Sequence, residues 1–227
     1  MFTRSKRDLK RIRDYLINES DLSKHNPEWF ISISYLYPYT RDEIIKFHKR
    51  INDVINDTFD PYDLNIICKG YFIEKGKKKV KTKVSITAIT QTKYVQNELI
   101  EGQLGSHLIL SLPPSIPIDS PNKNLRKVWL KMFPEFDGKP LKKLLSNKNN
   151  QQIIAETLEY VIRDRCPSFI ANGNQSIDIQ LIDESIPFLN TGEKGWKGVL
   201  HYCTKQMYCK DQFLNVFDTQ NSNISVA

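Results

Sequence analysis

Leu104-Gly105-Ser106-His107-Leu108-Ile109-Leu110-Ser111-Leu112-Pro113 sets one histidine in an apolar run that stops at a proline. Side chains alternate across a strand, so Gly105, His107, Ile109 and Ser111 point one way and Leu108, Leu110 and Leu112 the other. The leucines suit a face covered by helices, which leaves His107 on the opposite face.

Upstream of this strand, residues 63–73 and 80–90 are expected to form an antiparallel hairpin. Val80, Thr82, Val84, Ile86 and Ala88 share one side of its second strand, and Lys81, Lys83, Ser85 and Thr87 share the other. The turn between the strands is lysine-rich. Residues 91–102 fit a loop holding a short strand at 98–101. Further upstream, Trp29, Ile31, Ile33 and Tyr35 alternate along an opening strand that runs to Pro38. Thr40-Arg41-Asp42-Glu43 is a capping box, and Ile44, Phe47, Ile51, Val54 and Ile55 follow at helical spacing. His48 lies beside that stripe and is expected at the helix boundary.

Downstream, Leu125, Val128, Trp129 and Met132 predict a helix over 123–133, and residues 138–150 resemble a mobile basic insertion. Ile153, Ile154, Leu158 and Val161 predict a helix over 151–163. A strand at 176–182 follows, with Asp178 and Gln180 opposite Ile177, Ile179 and Leu181, and then a final helix over 196–213. This order predicts an α+β domain on a mainly antiparallel central sheet with helices packed on one face. The expected organisation is a basic N-terminal helix and linker (1–27), the main domain (28–213) and a flexible tail (214–227).

The chain has 227 residues, of which 40% are hydrophobic and 11% aromatic, enough for a real core and too apolar for a disordered chain. No apolar run reaches the roughly 20 residues of a membrane span, and the charged N-terminus lacks the apolar segment of a signal peptide. No membrane association and a cytoplasmic location are therefore expected. Cys68, Cys166, Cys203 and Cys209 have no metal-type spacing and are read as reduced thiols. The net charge of +7 is clustered: Lys75, Lys77, Lys78, Lys79, Lys81 and Lys83 fall within nine residues, and six more cations lie between Arg4 and Arg13. Such clusters are the footprint of a polyanion partner.

In the last helix Tyr202 and Lys205 are three residues apart, about 60° around the axis and about one turn along it. A tyrosine oxygen attacks a phosphodiester when a cation offsets the phosphate charge, and Lys205 could supply one.

The order of these pieces resembles the HUH replication initiators of rolling-circle plasmids and filamentous phages. It runs from the strand with Trp29 through the capped helix, the basic hairpin, Gly105-Ser106-His107 and Val128-Trp129 to Gly195-Trp196 ahead of Tyr202 and Lys205. The resemblance implies a ferredoxin-like or RRM-like sheet with its active site on the face away from the main helices. It implies a nicking and rejoining endonuclease acting on single-stranded origin DNA through a 5′-phosphotyrosine. Residue by residue, Tyr202 matches the nucleophile, Lys205 its accompanying lysine, His107 the second metal histidine and Glu101, or else Glu98, the acidic ligand of Mg²⁺ or Mn²⁺. Gly105 stands where the first metal histidine belongs, and His201 is a candidate to complete the set.

Lys77, Lys78, Lys79, Lys81 and Lys83 are expected to grip the DNA backbone, and a host helicase or polymerase is a possible further partner. Two other readings stay open. One is a catalytically impaired DNA-binding protein that recognises an origin or promoter. The other is an RNA-binding domain on the same sheet that stacks bases on Tyr35 and Tyr37.

Overall fold

The computed structural model describes Arg11, Asp14 and residues 28–59, 85–91, 94–95, 98–99, 103–112, 123–136, 138, 148–204 and 217–218. The opening strand β1 (Trp29–Tyr39) is followed by helix α1 (Arg41–Thr58), strands β2 (Ser85–Gln91), β3 (Tyr94–Val95), β4 (Glu98–Leu99) and β5 (Gln103–Ser111), and helices α2 (Lys123–Met132) and α3 (Asn150–Arg165). Strand β6 (Ile177–Leu181), helix α4 (Gly195–Thr204) and strand β7 (Phe217–Asp218) complete it.

The main sheet has the order β6-β1-β5-β2-β7, and every pairing in it is antiparallel. Counting β1, β2, β5 and β6 as first to fourth, the order is fourth, first, third, second. This is the split β-α-β arrangement of ferredoxin-like domains, a mixed α+β architecture. The decisive strand thus lies inside the sheet, paired on both sides. Ser32 of β1 and Ile89 of β2 are the register partners of His107.

The alternation places Trp29, Ile31, Ile33, Leu108, Leu110 and Leu112 in one buried cluster with Ile44, Phe47 and Ile51 of α1, Trp129 of α2 and Ile154 and Leu158 of α3. Each buried aliphatic side chain in such a layer is worth about 1.5 to 3 kcal/mol, so this face supplies most of the folding drive. Indole N–H groups buried there find acceptors: Trp29 donates to the Leu112 carbonyl at 2.6 Å and Trp129 to the Thr157 hydroxyl at 2.9 Å. Helix α1 begins as its capping box predicts. Thr40 N–H donates to the Glu43 carboxylate at 2.8 Å and Glu43 N–H to the Thr40 hydroxyl; that hydroxyl also donates to the carboxylate at 2.7 Å and, with the Thr40 N–H, holds the Glu43 carboxyl below its ordinary pKa.

Several expectations are revised. His48 is not a boundary residue but 1% exposed, with Nε2 2.6 Å from the Ser106 hydroxyl, which also bonds the Tyr35 hydroxyl. Tyr35 is likewise buried on the helix-covered face, so it cannot stack a base; Tyr37, at 61% exposure, still could. The 91–102 segment holds a two-stranded β3-β4 pair rather than one short strand. Lys148, at the end of the expected mobile insertion, is pinned by Glu156 at 2.6 Å and lies over the Phe133 ring. Phe217 and Asp218, within the expected tail, pair with β2. Helix α4 packs on the other face of the sheet from α1, α2 and α3, as its ring contacts with Phe30 and His107 require.

Candidate functional site

The second face of the sheet carries Phe30 and Ser32 of β1, His107 and Ile109 of β5, and Asp178 of β6. Ser32 is the register partner of both His107 and Asp178, so these three residues form a row across adjacent strands. Cβ atoms of directly opposite residues on neighbouring strands stand about 5 Å apart, so those of His107 and Asp178 are about 10 Å from each other with the serine between. Gln180 Nε2 donates to Asp178 Oδ2 at 2.6 Å and steadies that carboxylate.

Tyr202 reaches this row from α4. Its ring centroid lies 5.4 Å from that of His107, 5.8 Å from Phe188 and 6.1 Å from Phe30, each contact edge-on. Phe30 also contacts His107 at 5.1 Å and Phe188 at 5.2 Å, which closes a four-ring cluster. Edge-to-face pairs of this kind add about 0.5 to 1.5 kcal/mol each beyond simple burial, so the phenol is held in place rather than left free to swing.

The start of α4 is built to deliver that ring. Gly195 has φ 58°, a left-handed conformation, and the Glu184 carboxylate occupies the space a Cβ would need there. Glu184 in turn accepts the Trp196 N–H at 3.1 Å and so satisfies one of the orphan donors of the helix. A Cβ on Gly198 would meet the Glu193 carbonyl oxygen and come within 2.8 Å of the Phe188 Cβ. The glycine therefore lets α4 lie directly on the loop that carries Phe188. Val199, Leu200 and Cys203 are buried beneath the helix, while Tyr202 is half-buried.

The Tyr202 hydroxyl is held above the ordinary tyrosine pKa, first by burial and then by the neighbouring Cys203 and Asp178. It is a protonated phenol at neutral pH. Just before β1, Glu28 is raised to a pKa of about 7 by burial.

Of the residues singled out in the sequence, His107 and Tyr202 meet in the structure. His201 Nδ1 lies 3.7 Å from Glu193 Oε1. Lys205, Glu101, Lys77, Lys78, Lys79, Lys81, Lys83, Cys68 and Cys209 lie outside the described residues, as does the side chain of Glu98. Cys166 and Cys203 are both buried. Among the described residues no group of three His, Cys, Asp or Glu side chains could hold a metal ion, so His107 has no complete ligand set within them. At Gly105 a Cβ would lie 2.6 Å from the Ile33 carbonyl oxygen, closer than any real Cβ contact.

Phe30, Phe188, Ser32 and Asp178 were not singled out from the sequence as site residues. The alternation of β6 marked the side of the strand on which Asp178 lies, but nothing local gives the register that aligns it with Ser32 and His107. Compared with protein-family models, curated proteins and solved structures, the chain gives no match in any of the three. Among the described residues no helix is long and apolar enough to cross a membrane.

Proposed function

We propose that this chain is a rolling-circle replication initiator of the HUH type, working in the cytoplasm, that nicks and rejoins single-stranded origin DNA through Tyr202. The observation that carries the reading is the approach of the Tyr202 and His107 rings on the face of the sheet that α4 covers, where His107 is itself buried. The phenol oxygen would attack the scissile phosphorus and become the new phosphoester. Its proton would pass to the His107 imidazole, and the departing 3′ oxygen would take a proton from solvent water, to which the imidazolium returns its own, and leave as a hydroxyl. Because burial and Asp178 keep Tyr202 protonated, a proton acceptor beside it is required by the chemistry.

The resemblance adds a need for Mg²⁺ or Mn²⁺, with His107 and Glu101 as ligands and Lys205 beside the nucleophile. The described residues do not by themselves complete such a site. The lysines of residues 77–83 would hold the backbone, and a host helicase or polymerase is a candidate partner for the freed 3′ end.

A second reading has a specific observation behind it. The main chain of Ile33 fills the place a side chain at 105 would need, which favours a protein that kept DNA binding and gave up cleavage.

End-labelled single-stranded oligonucleotides from the DNA flanking the gene, incubated with Mn²⁺ and compared between wild type and Tyr202→Phe, separate the two. A denaturation-resistant protein–DNA adduct that needs the metal and is lost in the variant supports the nuclease. Tight binding without an adduct, indifferent to chelator, supports the binder.

A further inference from the structure

The three helices on the closed face of the sheet differ in charge. The exposed positions of α1 mix the signs, with Asp42, Glu43, Asp53 and Asp57 against Lys46, Lys49 and Arg50. In α3, Glu159 pairs with Arg163 at 2.8 Å and Glu156 takes Lys148 at 2.6 Å. Helix α2 carries no acidic residue, and its exposed positions include Lys123, Arg126, Lys127 and Lys131. None of these four has a carboxylate within 4.0 Å among the described residues.

Their spacing makes one stripe. At 100° per residue the four lie within about 140° of the helix circumference, opposite the buried Leu125 and Trp129, and Lys123, Lys127 and Lys131 step along the axis by about 6 Å each. The helix is fixed beneath them. Trp129 bonds Thr157 of α3 at 2.9 Å, and Asn124 Nδ2 donates to the Asp57 carbonyl at the end of α1 at 2.9 Å.

We infer that Lys123, Arg126, Lys127 and Lys131 form a second nucleic-acid contact that takes the phosphate backbone of duplex DNA, on the side of the domain opposite His107 and Tyr202. The inference rests on the proposal that DNA is the partner, and it adds a surface that the nicking chemistry does not use. A stripe of cations on a rigid helix suits a phosphate row, where lysine acts as a point charge. Single-stranded binders add exposed aromatic rings for base stacking, and the aromatic residue of α2, Trp129, is buried. Protein-docking surfaces are built around apolar or aromatic anchors, and none of the exposed large hydrophobics, Tyr37, Leu181, Ile186 and Leu189, lies on α2.

The test measures anisotropy of a fluorescent 30-base-pair duplex and of a 30-nucleotide single strand with the full chain between 50 and 300 mM KCl. Wild type is compared with a variant in which the four cations are changed to Gln. The salt slope for the duplex, log Kd against log salt, should fall by about 2 to 4 in the variant, at about 0.9 per lost phosphate contact. Single-strand binding and the circular dichroism melt should stay close to wild type. An unchanged duplex slope with intact binding overturns the inference and leaves the nicking proposal standing. Failure of the wild type to bind either probe overturns both. Loss of single-strand binding to the same extent as duplex binding would return the stripe to a general charge effect and overturn the duplex assignment.

Discussion

Gly105 faces the main chain of Ile33, with space for a hydrogen and not for a methyl group: a Cβ there would sit 2.6 Å from the Ile33 carbonyl oxygen. The obstacle is backbone, fixed by the pairing of β1 and β5, so it cannot turn aside as a side chain could. Gly105→Ala should therefore lower unfolding free energy by about 2 kcal/mol, the cost of overpacking a tight core, measured by urea denaturation. Gly105→His should be no better tolerated and should not raise metal-dependent adduct formation above wild type. A stable Gly105→His protein with a faster adduct would mean that β1 yields there, and would remove the main support for a non-cleaving protein.

Ser106 bridges two elements from inside the core, since its hydroxyl bonds both His48 of α1 and Tyr35 of β1. Ser106→Ala removes the oxygen these two buried polar groups share. The expected loss is about 1 to 3 kcal/mol, the range for stranding a buried polar partner. Because all three residues lie on the helix-covered face, DNA binding by the folded fraction should be unchanged. A double-mutant cycle with His48→Leu should show coupling well above 0.5 kcal/mol. Additive effects would mean that the network does not act as a unit.

Much of the sheet was legible because alternation is a local signal. Trp29, Ile31, Ile33 and Tyr35 declare one face of β1, and Leu108, Leu110 and Leu112 declare one face of β5, so His107 had to lie on the other. The approach of Tyr202 to that face is legible only as an implication of the family resemblance, since no local pattern carries it. What stayed hidden depended on distant partners. His48 looks like a boundary residue by spacing, yet a serine 58 residues away satisfies it inside the core. Asp178 shows its side of the strand but not its alignment with Ser32, which only strand register supplies. The role of Glu184 has no local signal either, because its partner, the Trp196 N–H, lies 12 residues on.

Gly198→Ala separates helix propensity from packing. In an isolated helix alanine would gain about 1 kcal/mol over glycine. Here the new methyl group would meet the Glu193 carbonyl and the Phe188 Cβ, forcing α4 away from its loop. The variant should melt below wild type by several degrees despite the better helix former. Because Phe188 packs against Tyr202, its adduct formation should also fall, by about tenfold, with single-strand affinity changed little. A variant that melts higher than wild type would show that the loop gives way and that Gly198 does not set the position of the tyrosine.

Glu28 makes folding stability depend on pH. Its carboxyl is raised by burial from 4.5 to about 7, so the folded chain keeps a proton that the unfolded chain has released. Between these two values the native state binds more protons, and the linkage relation then gives a stability that falls as pH rises. The contribution is fully present below pH 4.5 and is lost as pH passes through about 7. Since the group is only half-buried, solvent screening reduces the full linkage value to about 1 to 2 kcal/mol. Glu28→Gln keeps the shape and removes the titration. In urea melts at constant ionic strength, the stability difference between variant and wild type should shift toward the variant by that amount from pH 5 to pH 8. A constant difference across the range would place the Glu28 carboxylate in water in the folded protein, and its burial beside β5 would have to be redrawn.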